Sequence, residues 1–213
     1  MDFSDFLIIV SKIKNISLPA EQSQFKMLPP GRMKIRDTYK EAMKQAKQSA
    51  VLALFYPAYD NQTKFALIQR KAYNGVHSAQ ISFPGGKVEM NDLSLEHTAI
   101  RETHEEIGVN PDQVKIVKAL TKVYIPPSNF SVQPYIGLLN EPPNFILQET
   151  EVEELLEVSL MDFINDNHVV TKTVSTSYNT KVAVPAYLLN GHIVWGATAM
   201  MLSEIKDLIK AAY

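Results

Sequence analysis

The chain holds 213 residues, 46% hydrophobic and 21% charged, an ordinary globular mixture that excludes disordered, collagen-like and low-complexity classes. Lys and Arg number 21 against 23 for Asp and Glu, a formal net charge of −2, so no basic field exists to hold a nucleic-acid backbone. Cysteine is absent, which removes disulfides, zinc–thiolate sites, iron–sulfur clusters and thiol nucleophiles and leaves any metal to oxygen or imidazole ligands.

In chain order, Phe3, Phe6, Leu7, Val10 and Ile13 recur at spacings of three and four and predict an amphipathic helix over 3–14. The first residues are acidic where a signal peptide is basic, and no apolar run approaches the ~18 residues of a membrane span, so a cytoplasmic chain without membrane contact is expected. After Pro19, Pro29, Pro30 and Gly31, residues 38–50 read as a second helix, and 1–48 together as an N-terminal helical extension to a main domain over 49–213. Runs at 51–56 and 65–68, joined by Asp60-Asn61-Gln62, predict a hairpin. Residues 76–83 read as extended, 93–107 as helix, and 114–124 and 130–139 as extended on either side of a Pro126-Pro127 loop. Short helices are predicted at 149–158 and 160–164, strands at 169–174, 182–188 and 192–195, and a last helix over 197–211. Met200 and Met201 read as packing within that helix.

The chemistry concentrates in Phe83-Pro84-Gly85-Gly86-Lys87-Val88-Glu89 and in the helix ending Arg101-Glu102-Thr103-His104-Glu105-Glu106-Ile107-Gly108-Val109. Asp92 or Ser94 can cap this helix, Gly108 suits the left-handed position after it, and Leu95, Ala99, Thr103 and Ile107 form the buried stripe. At about 100° per residue, Glu102, Glu105 and Glu106 fall on one side of the last turn and a half. Like charges at these spacings repel, and the helix C-terminus is itself partially negative. No basic residue follows, and Arg101 precedes Glu105 in the weaker orientation for an ion pair, so a divalent cation is expected to neutralise the cluster. Carboxylate oxygens suit Mg²⁺ or Mn²⁺, and the glycine pair lets backbone approach an ion or a phosphate closely.

Gly-Gly, a helix start, Arg-Glu, two spacers, Glu-Glu, one spacer and Gly together resemble the Nudix box, the metal-binding loop–helix of the Nudix hydrolases. Residues 101–109 fit that box at every fixed position. Its glutamate eight residues before the arginine is Leu93 here, with Asp92 and Glu89 the nearest acids, a shift that a one-residue longer loop explains. The resemblance implies an α+β fold, an α/β/α sandwich around a mixed central sheet, and hydrolysis of a nucleoside diphosphate linked to another moiety.

Leu67-Ile68-Gln69-Arg70 followed by His77-Ser78-Ala79-Gln80-Ile81-Ser82-Phe83-Pro84-Gly85-Gly86 is similar to the segment before the box in the coenzyme A pyrophosphatases, although an arginine of that branch is Gly75 here and a glycine is Ala79. The likeness continues through 128–134, Glu151-Val152 and 194–199, and covers roughly residues 50–205. It implies Glu102 and Glu106 as ligands of Mg²⁺ or Mn²⁺, joined by Glu105 and the Gly86 carbonyl. Candidates for the base are Glu102, Glu105, Glu151 and Glu153. Arg101 is expected to orient a glutamate, and Arg70, His77, Gln80, Gly85 and Gly86 to meet the substrate. Tyr124, Phe130 and Trp195 are core aromatics unless one stacks on a base.

The expected reaction cuts coenzyme A or a derivative into adenosine 3′,5′-bisphosphate and 4′-phosphopantetheine. The alternatives are another nucleoside diphosphate derivative (nucleotide sugar, ADP-ribose, dinucleoside polyphosphate) and a non-catalytic nucleotide-sensing module. The expected partner is a small nucleotide, not a nucleic acid, and a homodimer is the assembly considered.

Overall fold

The computed structural model describes residues 1–28, 39–71, 80–175 and 181–213. Strand β1 (Lys47–Pro57) is central because both of its faces are apolar: Ala50, Leu52, Leu54 and Tyr56 point one way, Ala53 and Phe55 the other, and all are buried. On one edge it runs parallel to β7 (Phe130–Leu138), from Lys47↔Phe130 to Phe55↔Leu138. On the other it pairs antiparallel with β2 (Thr63–Arg70), but only from Phe55↔Phe65 to Pro57↔Thr63. The edge that β2 leaves open is taken by β4 (Gly85–Lys87), paired as Ser49↔Lys87 and Val51↔Gly85. That insertion sets the Gly85-Gly86 backbone at the start of β1.

Strands β3 (Ile81–Ser82) and β8 (Val152–Ser159) add to β2, and β5 (Lys115–Ala119) and β6 (Val123–Ile125) to β7, completing a mixed sheet. Helix α4 (Leu95–Ile107) seals one face through Ala99 and Ile107. Helices α1 (Phe3–Ile13) and α6 (Gly196–Ala212) seal the other, so the α+β sandwich expected from the sequence is the fold observed. A separate antiparallel sheet of β9 (Val169–Ser175), β10 (Lys181–Leu189) and β11 (His192–Val194) joins the α6 side through Tyr187, Leu189 and Val194. Short helices α2 (Ala20–Gln24), α3 (Lys40–Lys44) and α5 (Leu160–Ile164) fill the connections. Among the described residues no helix is long and apolar enough to cross a membrane.

Three local expectations are corrected. The helix predicted over 38–50 shrinks to Lys40–Lys44, because Lys47 to Ala50 pair with β7 and β4 and sheet pairing overrides helix-forming composition. The helix predicted over 149–158 is strand β8, paired with β2 from Lys64↔Ser159 to Arg70↔Val152; Leu156 and Val158 alternate inward past exposed Glu157. On α1, Leu7 is exposed and Ile9 takes its place in the stripe. The extended segment predicted over 76–83 falls partly outside the described residues, which resume before β3.

Candidate active site

Helix α4 begins where Ser94 Oγ accepts from the His97 N–H at 3.1 Å, and ends at Gly108, whose φ of 74° suits glycine. Its last carbonyls are satisfied from outside: Ile146 N–H donates to Ile107 O and Gln148 N–H to Glu106 O, both at 3.0 Å. The loop that makes those bonds leads to Glu151, whose carbonyl accepts from Lys71 N–H at 2.8 Å. Thus the helix end, the end of β2 and Glu151 are tied together.

Two glycines let β4 lie against the helix carboxylates. Gly85 has φ of 150°, and a Cβ there would run into the Ala50 carbonyl; its N–H donates to Glu106 Oε2 at 2.8 Å. A Cβ on Gly86 would run into the Glu102 carboxylate.

Glu106 is 1% exposed. Arg70 Nη1 donates to its Oε1 at 2.7 Å, yet burial outweighs that pairing and the Gly85 N–H and, with Glu102 and Glu151 adding, pushes its carboxyl up to about 7. Glu102 is raised as well, first by burial and then by Glu105 and Glu151, against the pull of Arg101. Glu105 is half-exposed at the helix edge.

No basic residue follows this cluster in sequence, yet two cations meet it in space. Arg101 Nη1 reaches Glu102 Oε1 at 3.0 Å and Glu105 Oε2 at 2.9 Å, and Arg70 arrives from β2. Arg101 is itself fixed by Asp92, which accepts from Nε at 2.9 Å and from Nη2 at 2.9 Å. The fully buried Asp92 side chain also accepts from Thr98 Oγ1 at 2.9 Å and from Glu89 N–H at 2.8 Å. Arg101 above all holds its carboxyl well below the usual range. Leu93, at the box position, is exposed. Asp92, named from the sequence both as a possible cap and, with Glu89, as the acid nearest the box position, is the one that meets Arg101, nine residues on.

Other expected residues fall as follows. The Gln80 carbonyl accepts from Arg70 N–H at 3.1 Å. Glu151 Oε2 stands 3.9 Å from Arg70 Nη2, whereas Glu153 lies exposed at the bulge of β8. Phe130 and Tyr124 share the sheet end with Gly86, Tyr124 donating to Asn129 Oδ1 at 2.9 Å and Lys47 lying over the Phe130 ring. His77, Gly75 and Ala79 lie outside the described residues.

Among the described residues no three His, Asp or Glu side chains are gathered to cage an ion as they lie, since Arg70 and Arg101 engage the carboxylate oxygens. The donor set nevertheless fits a hard divalent cation. It is all oxygen, two of its carboxylates are crowded by further negative charge, and Gly86 leaves the Glu102 carboxylate open to backbone.

Residues 48–172 match the NUDIX domain family. The chain is similar to a peroxisomal coenzyme A diphosphatase of Caenorhabditis elegans, 31% identical over 140 residues that cover 65% of this chain and 60% of that protein. It is also similar to a mitochondrial coenzyme A diphosphatase of Mus musculus, 32% identical over 145 residues covering 65% of this chain and 67% of the mouse protein. Both names refer to organelles, not to the cytoplasm expected for this chain. In fold it resembles a crystal structure of the M. smegmatis Nudix hydrolase RenU, with TM-score 0.53, 15% identity, and coverage of 78% of this chain and 87% of that one. With its Arg-Glu-x-x-Glu-Glu helix packed on a Gly-Gly strand inside the matched span, the chain belongs to the NUDIX domain family.

Proposed function

We propose that this chain hydrolyses the pyrophosphate bond of coenzyme A or a derivative, giving adenosine 3′,5′-bisphosphate and 4′-phosphopantetheine or its acyl form. The observation that carries the reading is that Glu102 and Glu106 lie against the Gly85-Gly86 backbone of β4, where Glu105 and Glu151 raise the first carboxyl and Glu102 and Glu151 the second. Support for coenzyme A comes from the two relatives named as its diphosphatases and from the Arg70, Gln80 and Phe83-Pro84-Gly85-Gly86 positions.

Nudix hydrolases generally need divalent metal ions; Mg²⁺ or Mn²⁺, when bound, would supply charge neutralisation for the pyrophosphate and a lowered pKa for the attacking water. Glu102 and Glu106 are the residues that would hold it, with Glu105 and the Gly86 carbonyl completing the set. Arg101, gripped by Asp92, fixes the directions of Glu102 and Glu105. Glu151 is half-exposed and meets Arg70 Nη2 only at 3.9 Å, so we assign it the role of base, ahead of Glu153. Water oxygen bonds to one phosphorus with its remaining hydrogen, one proton passes to Glu151, and the bridging P–O bond breaks with its electron pair leaving on the oxygen of the departing phosphate. Arg70 and Gln80, and by the sequence resemblance His77, are the residues proposed to meet the substrate. The division at 48/49 is part of the proposal; the family match begins at 48, although α1 shares the core under α6.

The test is kcat/KM for coenzyme A, ADP-ribose, NADH, a nucleotide sugar and a dinucleoside polyphosphate with Mg²⁺ or Mn²⁺. Coenzyme A or an acyl form should rank first. A nucleotide sugar or ADP-ribose ranking first moves the chain to another Nudix substrate, and turnover of none favours a sensing module.

A further inference from the structure

We infer that Arg70 and the divalent ion contend for the same Glu106 oxygen, so that ion binding releases the Arg70 guanidinium to the phosphates of the nucleotide. The inference rests on the metal-dependent reading above and adds an order of events to it.

Both oxygens of Glu106 are engaged, Oε1 by Arg70 at 2.7 Å and Oε2 by the Gly85 N–H at 2.8 Å. The Gly85 donor is backbone, locked in β4 by pairing with Val51, so Oε2 is released only if the strand moves. Oε1 is held by a side chain and is the oxygen that can change partners. The carboxylate is 1% exposed, so little water stands by to screen a guanidinium and an ion that share that oxygen, and the two positive charges exclude one another.

Arg70 has somewhere to go. Its side chain is 27% exposed, and its Nη2 already leans toward Glu151 at 3.9 Å. Its main chain stays pinned, with N–H donating to Gln80 O at 3.1 Å, so the change is a rotation of the side chain about a fixed Cα. A planar fork of donors released beside the ion-binding oxygens suits bidentate contact with a phosphate. Arg70 therefore serves twice, as the counter-charge of Glu106 first and as a phosphate clamp afterwards, and the strong nucleotide site is complete only with the ion present. Reciprocity requires that whatever weakens the Arg70–Glu106 pair tightens ion binding.

The experiment titrates Mn²⁺ alone into the full chain and reads free Mn²⁺ by electron paramagnetic resonance. Arg70→Gln should bind Mn²⁺ at least about fivefold tighter than the unmodified chain, whereas Arg70→Lys, which keeps the charge, should stay within about twofold. At saturating Mn²⁺, imidodiphosphate should bind Arg70→Gln about tenfold more weakly or worse. Equal or weaker Mn²⁺ binding by Arg70→Gln overturns the inference, because a guanidinium that only braces Glu106 lowers ion affinity when removed. If Arg70→Gln does not fold, the unmodified chain decides. Its Arg70 guanidinium ¹⁵N–H resonance, assigned with Arg70→Lys, should lose exchange protection when Mg²⁺ is added, and retained protection overturns the inference. Glu106→Gln separates the two readings: Mn²⁺ affinity unchanged there removes the metal reading itself. Affinity lost in Glu106→Gln without a gain in Arg70→Gln removes only the competition.

Discussion

The helices on the two faces of the sheet each bury one glutamate, Glu106 on α4 at 1% exposure and Glu204 on α6 at 0%. Glu204 meets donors without a formal charge: Gln24 Nε2 at 3.0 Å, Thr121 Oγ1 at 2.6 Å and Thr121 N–H at 3.3 Å. It ties α2 and the connection after β5 to α6, beside a Ser203 hydroxyl that donates to Ser23 O at 2.7 Å. Glu106 instead meets a cation and a backbone donor in the field of Glu102 and Glu151, and burial lifts its carboxyl to about 7. Burial of a carboxylate is common to both. Of the two, Glu106 has the company of other carboxylates, a partly exposed cationic side-chain partner and a glycine-lined approach, and these mark the site.

The comparison is broken most sharply by neutralising each glutamate. Glu106→Gln should cut turnover at least ~10²-fold while the melting midpoint moves by a few degrees, since it removes charge and preserves shape. A variant that unfolds instead puts Glu106 in the same structural class as Glu204. Glu204→Ala should behave the other way, losing about 3 kcal/mol by orphaning buried donors, which lowers the midpoint by about 6–12 °C in a chain of this size. Its kcat/KM per folded molecule should not change; a fall at 20 °C would mean that the α6 network reaches the site.

A smaller effect lies in Asp92, whose carboxyl is held below its unfolded value of 3.8, chiefly by Arg101. Its contribution to stability is therefore fully present above that value and is lost as pH falls below it. Asp92→Asn should be less stable than the unmodified chain at pH 7, and the gap in denaturation midpoints should narrow progressively as pH falls below 3.8; a constant gap shows that Asp92 acts only by shape. Smallest is the substrate's 3′-phosphate. Gly75 supplies no charge where the coenzyme A branch has arginine, so coenzyme A should exceed its 3′-dephospho form in kcat/KM by about tenfold or less, near 1.4 kcal/mol. A thousandfold preference would show that another basic residue holds that phosphate.

Much of α4 was legible because its signals are local. Ser94, Gly108 and the stripe from Ala99 to Ile107 are read within one helix, and the Gly85-Gly86 pair announced a close backbone approach that the Glu102 and Ala50 contacts explain. What escaped is non-local. The Arg70–Glu106 pair spans 36 positions, and the Gln24–Glu204 bond 180, so no spacing rule points to either. Strand β8 was misread because glutamate and leucine favour helices in isolation, while the vacant edge of β2 decided its pairing. The insertion of β4 beside β1 depends on β2 leaving that edge after Phe55, which no local pattern encodes.

The central claim, ion-dependent cleavage at the Glu102–Glu106–Glu151 cluster, is tested most directly by mass spectrometry of coenzyme A incubated with the chain and Mn²⁺, with EDTA in parallel. Equal amounts of adenosine 3′,5′-bisphosphate and 4′-phosphopantetheine, absent with EDTA and absent for Glu106→Gln, are the predicted result. Cleavage that persists with EDTA or in Glu106→Gln, or coenzyme A left intact while another nucleoside diphosphate derivative is consumed, would contradict it.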